Sequence, residues 1–448
     1  MTDPTSSRSF RRAPAAVLVF VLAACQPSAT VAPTPAPTSA AHATPTTQPT
    51  ATPAPSPIVV APVAVDMSGD VPATTACGVP AGRTLKLTEL AGPVAYGYEA
   101  ALTPYSEADS DRGNPQVVPY DLAICELATG AFTRVHDAGL RGHVAAQDAG
   151  RLLFETGNPR FAPSADSSSY DLATGTIQRL DAFVQNDIFA IDLDGDLVLG
   201  EDRNPTTDEF SDPSVPAVLD LRTGQVRTLT PAELGLPDAR WFRPKAISDG
   251  VLVGLAEFPP DDDRTFWAFD LGTGHPIQMP PELRDAGGTV TAFDGQVLVG
   301  ALADRRDDGG PQPFAWRIGD AHATLLPVGK HHRGGMAIGI DGDLVAGNIY
   351  GPDDYNGEFL FHVGMRGVVW DLRTGKMLDL GTGPAAMSGT MATEANLAPQ
   401  SMAAAIEGHR VLGFLGAGCD GDPWCASMSF GGTPIVWDIS AWIAALGG

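Results

Sequence analysis

Asp341-Gly342-Asp343-Leu344-Val345-Ala346-Gly347, followed by Val369-Trp370-Asp371-Leu372-Arg373-Thr374-Gly375, contains the two phrases whose alternation decides the fold. The first is an acidic or small residue, Gly, then a Val/Leu run often closed by Gly. It returns in Asp194–Gly200, Asp249–Gly254 and Asp294–Gly300, and more weakly at Ala91-Gly92, Ala149-Gly150 and Glu407-Gly408. The second reads apolar-Asp-Leu-x-Thr-Gly. It returns in Tyr170–Gly175, Leu219–Gly224 and Phe269–Gly274, with degenerate copies in Cys125–Gly130, Trp316–Gly319 and Trp437–Ile439. Each phrase occurs seven times, and the two interleave strictly. The second-phrase glycines stand at 130, 175, 224, 274, 319 and 375, steps of about 45–55 residues, the spacing of propeller blades.

Both phrases are turn chemistry. Asp-Gly between apolar runs predicts a two-residue hairpin with positive φ at both central residues. Thr-Gly predicts a longer hairpin with Gly in the left-handed region. Each unit then holds four strands: a before the first turn, b in the Val/Leu run, c ending in Asp-Leu, and d after Thr-Gly. Fifty Gly and 39 Pro suit many short strands. The expected fold is an all-β, seven-bladed β-propeller of four-stranded blades. A β-sandwich does not explain the repeat. Leu85–Leu90 supply strand a of blade one, and Ser401–Ile439 supply a, b and c of blade seven. The missing strand d is expected from Ile58–Val65, because an open edge invites aggregation. Ser440–Leu446 read as a short helix instead.

The Val369–Gly375 segment resembles the end of a WD repeat, without that family's Gly-His dipeptide. Gly-x-Val-x-Gly followed by an apolar-Trp strand resembles the HAF repeat of extracellular bacterial proteins. Asp-Leu-x-Thr-Gly is also similar to quinoprotein propellers, without their Trp after the Gly turn. These likenesses cover roughly residues 83–440 and imply fold more than activity.

The first 24 residues read as a signal peptide, with Arg8, Arg11 and Arg12 ahead of the short apolar run Ala13–Ala24. Leu22-Ala23-Ala24-Cys25 resembles the lipobox of bacterial lipoproteins. That resemblance implies lipidation of Cys25, cleavage just before it, and a membrane anchor facing the extracytoplasmic side. Residues 25–57 then form a disordered linker: Gln26–Pro57 holds 9 Pro and 8 Thr and no Asp, Glu, Lys or Arg. Such a stretch builds no core and reaches up to about 100 Å when extended. The propeller domain follows over 58–448. Outside the cytoplasm the remaining cysteines predict disulfides. Cys419 and Cys425, six residues apart, make a local staple, and Cys77–Cys125 follows by elimination.

With 28 Lys+Arg against 53 Asp+Glu, the chain carries a net charge of −25. This excludes nucleic acid and an anionic lipid surface as ligands. In a propeller the b–c and d–a connections share one face. The b–c segments here are long, polar and rich in acids, as at Glu201/Asp202, Asp208/Glu209, Asp261–Asp263, Asp307/Asp308 and Asp353/Asp354, so that face is expected to be negative. Asp353, Asp354, Asn356 and Glu358 flank a Gly turn with oxygen ligands that suit calcium, without EF-hand spacing. His331, His332 and Arg333 lie in a d–a connection, where they and His136, His143 and His362 are candidates for a channel-mouth polar group. Asp192, Asp194 and Asp196 sit at an a–b turn, and hairpin chemistry accounts for them. Trp241, Trp267, Trp316, Trp370 and Trp437 fall on strands, as core residues do. The sequence therefore points to a surface-tethered, monomeric binding or scaffold module for a protein or glycan partner. The alternatives are an extracytoplasmic hydrolase or lyase with its site at the channel mouth, and a structural part of an envelope complex.

Overall fold

Every interleaved pair of phrases folds into one antiparallel sheet, and the seven sheets close into a β-propeller. The computed structural model describes residues 65–66, 71–78, 83–101, 121–135, 143–148, 150–156, 166–203, 214–258, 263–284, 286–303, 310–329, 332, 334–350, 365–381, 400–416 and 433–447. The innermost strands of successive blades are Arg83–Ala91, His143–Asp148, Ile188–Asp194, Trp241–Ser248, Gly288–Phe293, Gly334–Asp341 and Gln400–Glu407. Each touches the next and the seventh touches the first, so strands a form a closed ring. The apolar residues of the b and c strands are buried between blades. Phe242, Leu252 and Trp267 of blade four pack on Leu199 and Val218 of blade three. On the other face of blade four, Phe266 meets Phe314 of blade five edge to face at 5.3 Å. Trp267, Trp316, Trp370 and Trp437 are buried as expected, whereas Trp241 is half-buried.

The c–d turns explain the Asp-Leu-x-Thr-Gly phrase residue by residue. Asp171 Oδ1 accepts hydrogen bonds from the Thr174 and Ala173 amides at 2.8 and 3.0 Å. Asp220, Asp270 and Asp371 repeat the arrangement. Gly175, Gly224, Gly274 and Gly375 follow with φ of 68–71°, where a side chain would be strained. The residue after the Asp donates its amide across to the a–b turn of the same blade. Leu127, Leu172, Leu221, Leu271, Ile318, Leu372 and Ile439 reach the carbonyls of Pro93, Gly150, Asp196, Gly250, Gln296, Asp343 and His409. All seven blades therefore have their two turns stitched together.

The a–b turns depart from the expected form. Only Asp249 (φ 50°) and Gly250 (φ 71°) both take positive φ as the sequence reading requires. In blades one, three, six and seven, Gly92, Gly195, Gly342 and Gly408 take the first loop position. The residue before the Gly is then the last of strand a. One positive φ is enough to turn the chain, so an acid at that position is free to reach the next blade. Asp148 Oδ2 accepts from the Gly195 amide at 2.6 Å, Asp194 Oδ2 from Gly250 at 2.8 Å, and Glu407 Oε1 from Gly92 at 2.8 Å. Asp341 accepts from Gly408 in the same way. The acid-Gly dipeptide is thus a latch between blades. Asp194→Ala leaves the Gly250 amide without its acceptor and should cost about 1–2 kcal/mol, read as a lower urea midpoint. An unchanged midpoint would mean that the latch contributes nothing.

Every strand a also carries a one-residue bulge at the same level, from Leu87/Glu89 in blade one to Ala403/Ala405 in blade seven. A bulge turns two successive residues to one side and brings the bent backbone toward its partner. Strand b answers with Gly at Gly97, Gly200, Gly254, Gly300, Gly347 and Gly413. This close approach is why the first phrase ends in Gly.

Ring closure differs from the expectation. The closing strand is Ala73–Thr75, antiparallel to Thr433–Asp438 of blade seven, not Ile58–Val65. Val65–Asp66 instead adds a parallel strand to Lys376–Asp379 at the outer edge of blade six. Proximity is the reason: a strand ending at Thr75 lies only a short connection from Arg83, where blade one begins. The Cys77–Cys125 disulfide, with Cα atoms 6.0 Å apart, then fastens the closing segment to strand c of blade one. The expected helix is present at Ser440–Leu446. Its Trp442 packs with Trp437, Leu378 and the closing-segment residues Val71 and Ala73.

Candidate functional site

The bulges set the chemistry of the inner wall. They place Glu89 in blade one and Asp192 in blade three at equivalent positions, where the other blades have Ala146, Ala246, Ala292, Gly339 and Ala405. Blade two lies between these acids, yet the charge of Asp192 still acts on Glu89. Burial, reinforced by the charge of Asp192, pushes the Glu89 carboxyl up to about 8. Burial also pushes Asp192 up to about 7, against the amides of Ile247 and Leu193 that donate to it at 2.8 and 2.9 Å and with the charges of Asp148 and Asp194. The Thr88 hydroxyl beside Glu89 is buried without a hydrogen-bond partner among the described residues. One turn of strand further toward the b–c face, burial holds Lys86 below the usual lysine range, with its ammonium 5.8 Å from the Tyr98 ring centre.

These acids give stability a defined pH dependence. A carboxyl raised in the folded state keeps a proton that the unfolded chain releases, so stability rises as pH falls from about 8 toward about 5. Asp171, Asp220 and Asp270 work the other way. Backbone amides in the c–d turns hold them below the usual range, and their contribution is lost as pH falls through and below about 4. The melting temperature should therefore peak at about pH 5. Glu89→Gln should flatten its decline toward pH 8 by a few degrees. A wild-type profile that rises from pH 5 to 8 would contradict this assignment.

Most of the residues singled out by sequence lie outside the described residues: Cys25, Asp353, Asp354, Asn356, Glu358, His331, Arg333, His136, His362, Cys419 and Cys425. His332 is half-buried ahead of strand a of blade six, and His143 opens strand a of blade two. Among the described residues no group of three or more His, Cys, Asp or Glu is arranged to hold a metal, and no helix is long and apolar enough to cross a membrane. Asp192 and Asp194, assigned to hairpin chemistry, act as acceptors for the next blade. Glu201, expected in a b–c loop, lies within strand b and is buried, as is Glu257 of blade four. Glu89 and Asp192 had a signal that the sequence reading passed over. Leu85, Leu87 and Leu90, like Ile188, Ala190 and Leu193, skip one step of the apolar alternation, which is the mark of a bulge.

No protein-family model matches the chain, and no curated protein matches it. Among solved structures it is similar to the β-propeller domain of the Trilobed protease from Pyrococcus furiosus (TM-score 0.40, 13% identity, 60% of this chain and 77% of that one). It is also similar to a puromycin-hydrolyzing peptidase of Mycobacterium tuberculosis (TM-score 0.49, 13% identity, 84% of this chain), of whose length it spans 55%. A third likeness is to an oligogalacturonate lyase in complex with manganese (TM-score 0.49, 14% identity, 85% of this chain and 98% of that one). At these identities the likeness concerns fold and not activity.

Proposed function

We propose that this protein is a lipid-tethered binding module, held at the cell surface through Cys25, whose ligand is received on the b–c face and in the mouth of the ring. The observation that supports this most is the asymmetry of the two faces. On the a–b/c–d face, each blade's turns are stitched to one another and four blade junctions are latched by carboxylates. That face is committed to holding the ring, which leaves the b–c face and the channel for recognition. The first described strands pair at the outer edges of blades six and seven.

Cross-linking in whole cells tests the reading. A photoreactive phenylalanine analogue replaces Trp241 near the channel mouth, or Thr223 on the turn face. Capture from the first position and not the second is expected. Capture only from Thr223 would reverse the assignment. Cys25→Ser should move the protein from the membrane fraction to the soluble extracytoplasmic one. The second reading is an enzyme acting on an extracellular polymer or peptide. In its favour stand two carboxylates, Glu89 and Asp192, on the innermost strands, whose protonation is shifted toward neutral pH. Turnover lost in Glu89→Gln with folding intact would promote that reading above the first.

A further inference from the structure

On the rim of blade four a buried carboxylate holds two guanidinium groups. Glu257, on strand b, has its side chain 7% exposed, while Arg243 on strand a and Arg264 on strand c are 52% and 45% exposed. Both Nε atoms lie 3.0 Å from the same oxygen, Oε1. Neither contact has hydrogen-bond geometry, so this oxygen anchors the pair by charge. The register explains why three strands converge here. Glu257 pairs directly with Arg264, and Leu255, two residues earlier on the same face, pairs with Arg243. Leu255 and Phe266 of that face are buried with Leu298 and Phe314 of blade five. The cluster therefore caps the cleft between blades four and five, at the ends of the strands that lead to the b–c face.

Within the ion-pair cluster two cations share one anion, while Asp261–Asp263 directly precede Arg264 in a strongly acidic chain. In blade one Arg134 stands 3.7 Å from both Glu99 and Asp121, each of them buried. Each arginine of blade four uses its Nε toward Glu257, and no other partner of either guanidinium is found among the described residues. Among the described residues their terminal amino groups are thus left as donors on two half-exposed side chains. This is the arrangement that receives a planar oxyanion by two parallel hydrogen bonds. Half-buried Trp241, on the strand a position paired with Glu257, carries Arg240 over its ring at 4.6 Å and adds an aromatic edge to the same rim.

We infer that Arg243 and Arg264, held by Glu257, form the binding site for an oxyanion-bearing ligand, a carboxylated or sulfated chain, at the mouth of the ring. The inference rests on the b–c face being the binding face and names the class of ligand it takes. Glu257 is a positioning residue, and the two arginines make the contact.

Titration of the detergent-solubilised full chain with carboxymethyl-dextran, dextran sulfate and plain dextran tests it. Binding to one or both charged polymers and none to plain dextran is expected, and the two charged arms tell carboxylate from sulfate. The net charge of −25 opposes any non-specific attachment of a polyanion. Arg243→Gln with Arg264→Gln should weaken binding at least tenfold. The double Arg→Lys variant should weaken it too, because lysine lacks the planar fork. Since removing both arginines strands Glu257 in a buried place, the triple variant that adds Glu257→Gln serves as the folded control and should also fail to bind. Binding by the triple variant equal to wild type, or no binding of either charged polymer by wild type, overturns the inference. Cross-linking in cells separates the two levels. Capture at position 241 that persists in the arginine variants would leave the face assignment standing and remove the arginine site alone.

Discussion

Unfolding of the Cys77→Ala/Cys125→Ala variant should require about 4 kcal/mol less than that of the wild type. The bond closes a loop of sequence separation 48, and the chain-entropy relation for a loop of that size gives about 4 kcal/mol. The location makes the loss matter. Cys77 and Cys125 are buried with Leu87, Leu412 and Val436, in the cluster between blades seven and one. Ala73–Thr75 is only three residues long, with two of its side chains exposed. Beyond its ladder it gains two flanking bonds, from the Asp438 amide to Pro72 and from the Ala76 amide to Pro434, both 2.9 Å. So short a strand holds a ring closed weakly by itself. Urea unfolding with and without reductant checks this: reductant should lower the wild-type midpoint more than that of the double variant. Equal midpoints for the two proteins would show that closure rests on the strand pairing alone.

Gly347→Ala and Gly413→Ala should each destabilise by about 3 kcal/mol or more, enough to prevent accumulation of the folded protein. A Cβ at Gly347 would run into the Met336 carbonyl and stand 2.6 Å from the Trp370 ring. At Gly413 the obstacles are the Met402 carbonyl and Trp437, also at 2.6 Å. Neither obstacle yields easily. The carbonyls belong to bulged strands, and both indoles are fully buried between blades. The Trp370 Nε1 is also fixed by a 2.7 Å bond to the Pro327 carbonyl. Gly339 is the control. It occupies the position just after the bulge in blade six, with its nearest neighbours at 3.6 Å. Gly339→Ala should be neutral or slightly stabilising, because it restricts only the unfolded chain. Thermal unfolding of the three variants decides the matter. Comparable losses at all three would mean that glycine is needed for backbone freedom and not for clearance.

What sequence could show followed from periodicity. The repeat of Asp-Leu-x-Thr-Gly gave the number of blades, because each copy must form the same turn, and the Cys77–Cys125 pairing followed from counting thiols. The closing strand was misplaced because Ile58–Val65 is the more apolar segment, whereas closure depends on distance to blade one, which hydropathy does not encode. The inter-blade role of Asp194 was hidden because its own turn already accounted for an acid before Gly. Arg243, Glu257 and Arg264 were invisible as a group. They stand on three consecutive strands, and only the register of those strands brings them together. Glu257 also looked like a loop acid, since it lies two residues before Pro259.

The disulfide has a further consequence for a domain held from its N-terminal side. Tension applied there first meets the two-residue pairing of Val65–Asp66 and then the three-residue pairing of Ala73–Thr75. The first can rupture without disturbing any four-stranded blade, and the second removes only the closing strand of blade seven. At Cys77 the path of the force leaves the main chain and crosses through sulfur to Cys125. The stretch between these cysteines, with strands a and b of blade one, is bypassed. Roughly 160 Å of extensible chain is thereby withheld, at about 3.3–3.6 Å per residue. The ring is shielded from tension entering on its N-terminal side, and the seam most exposed to such pulling is the one spanned by a covalent bond.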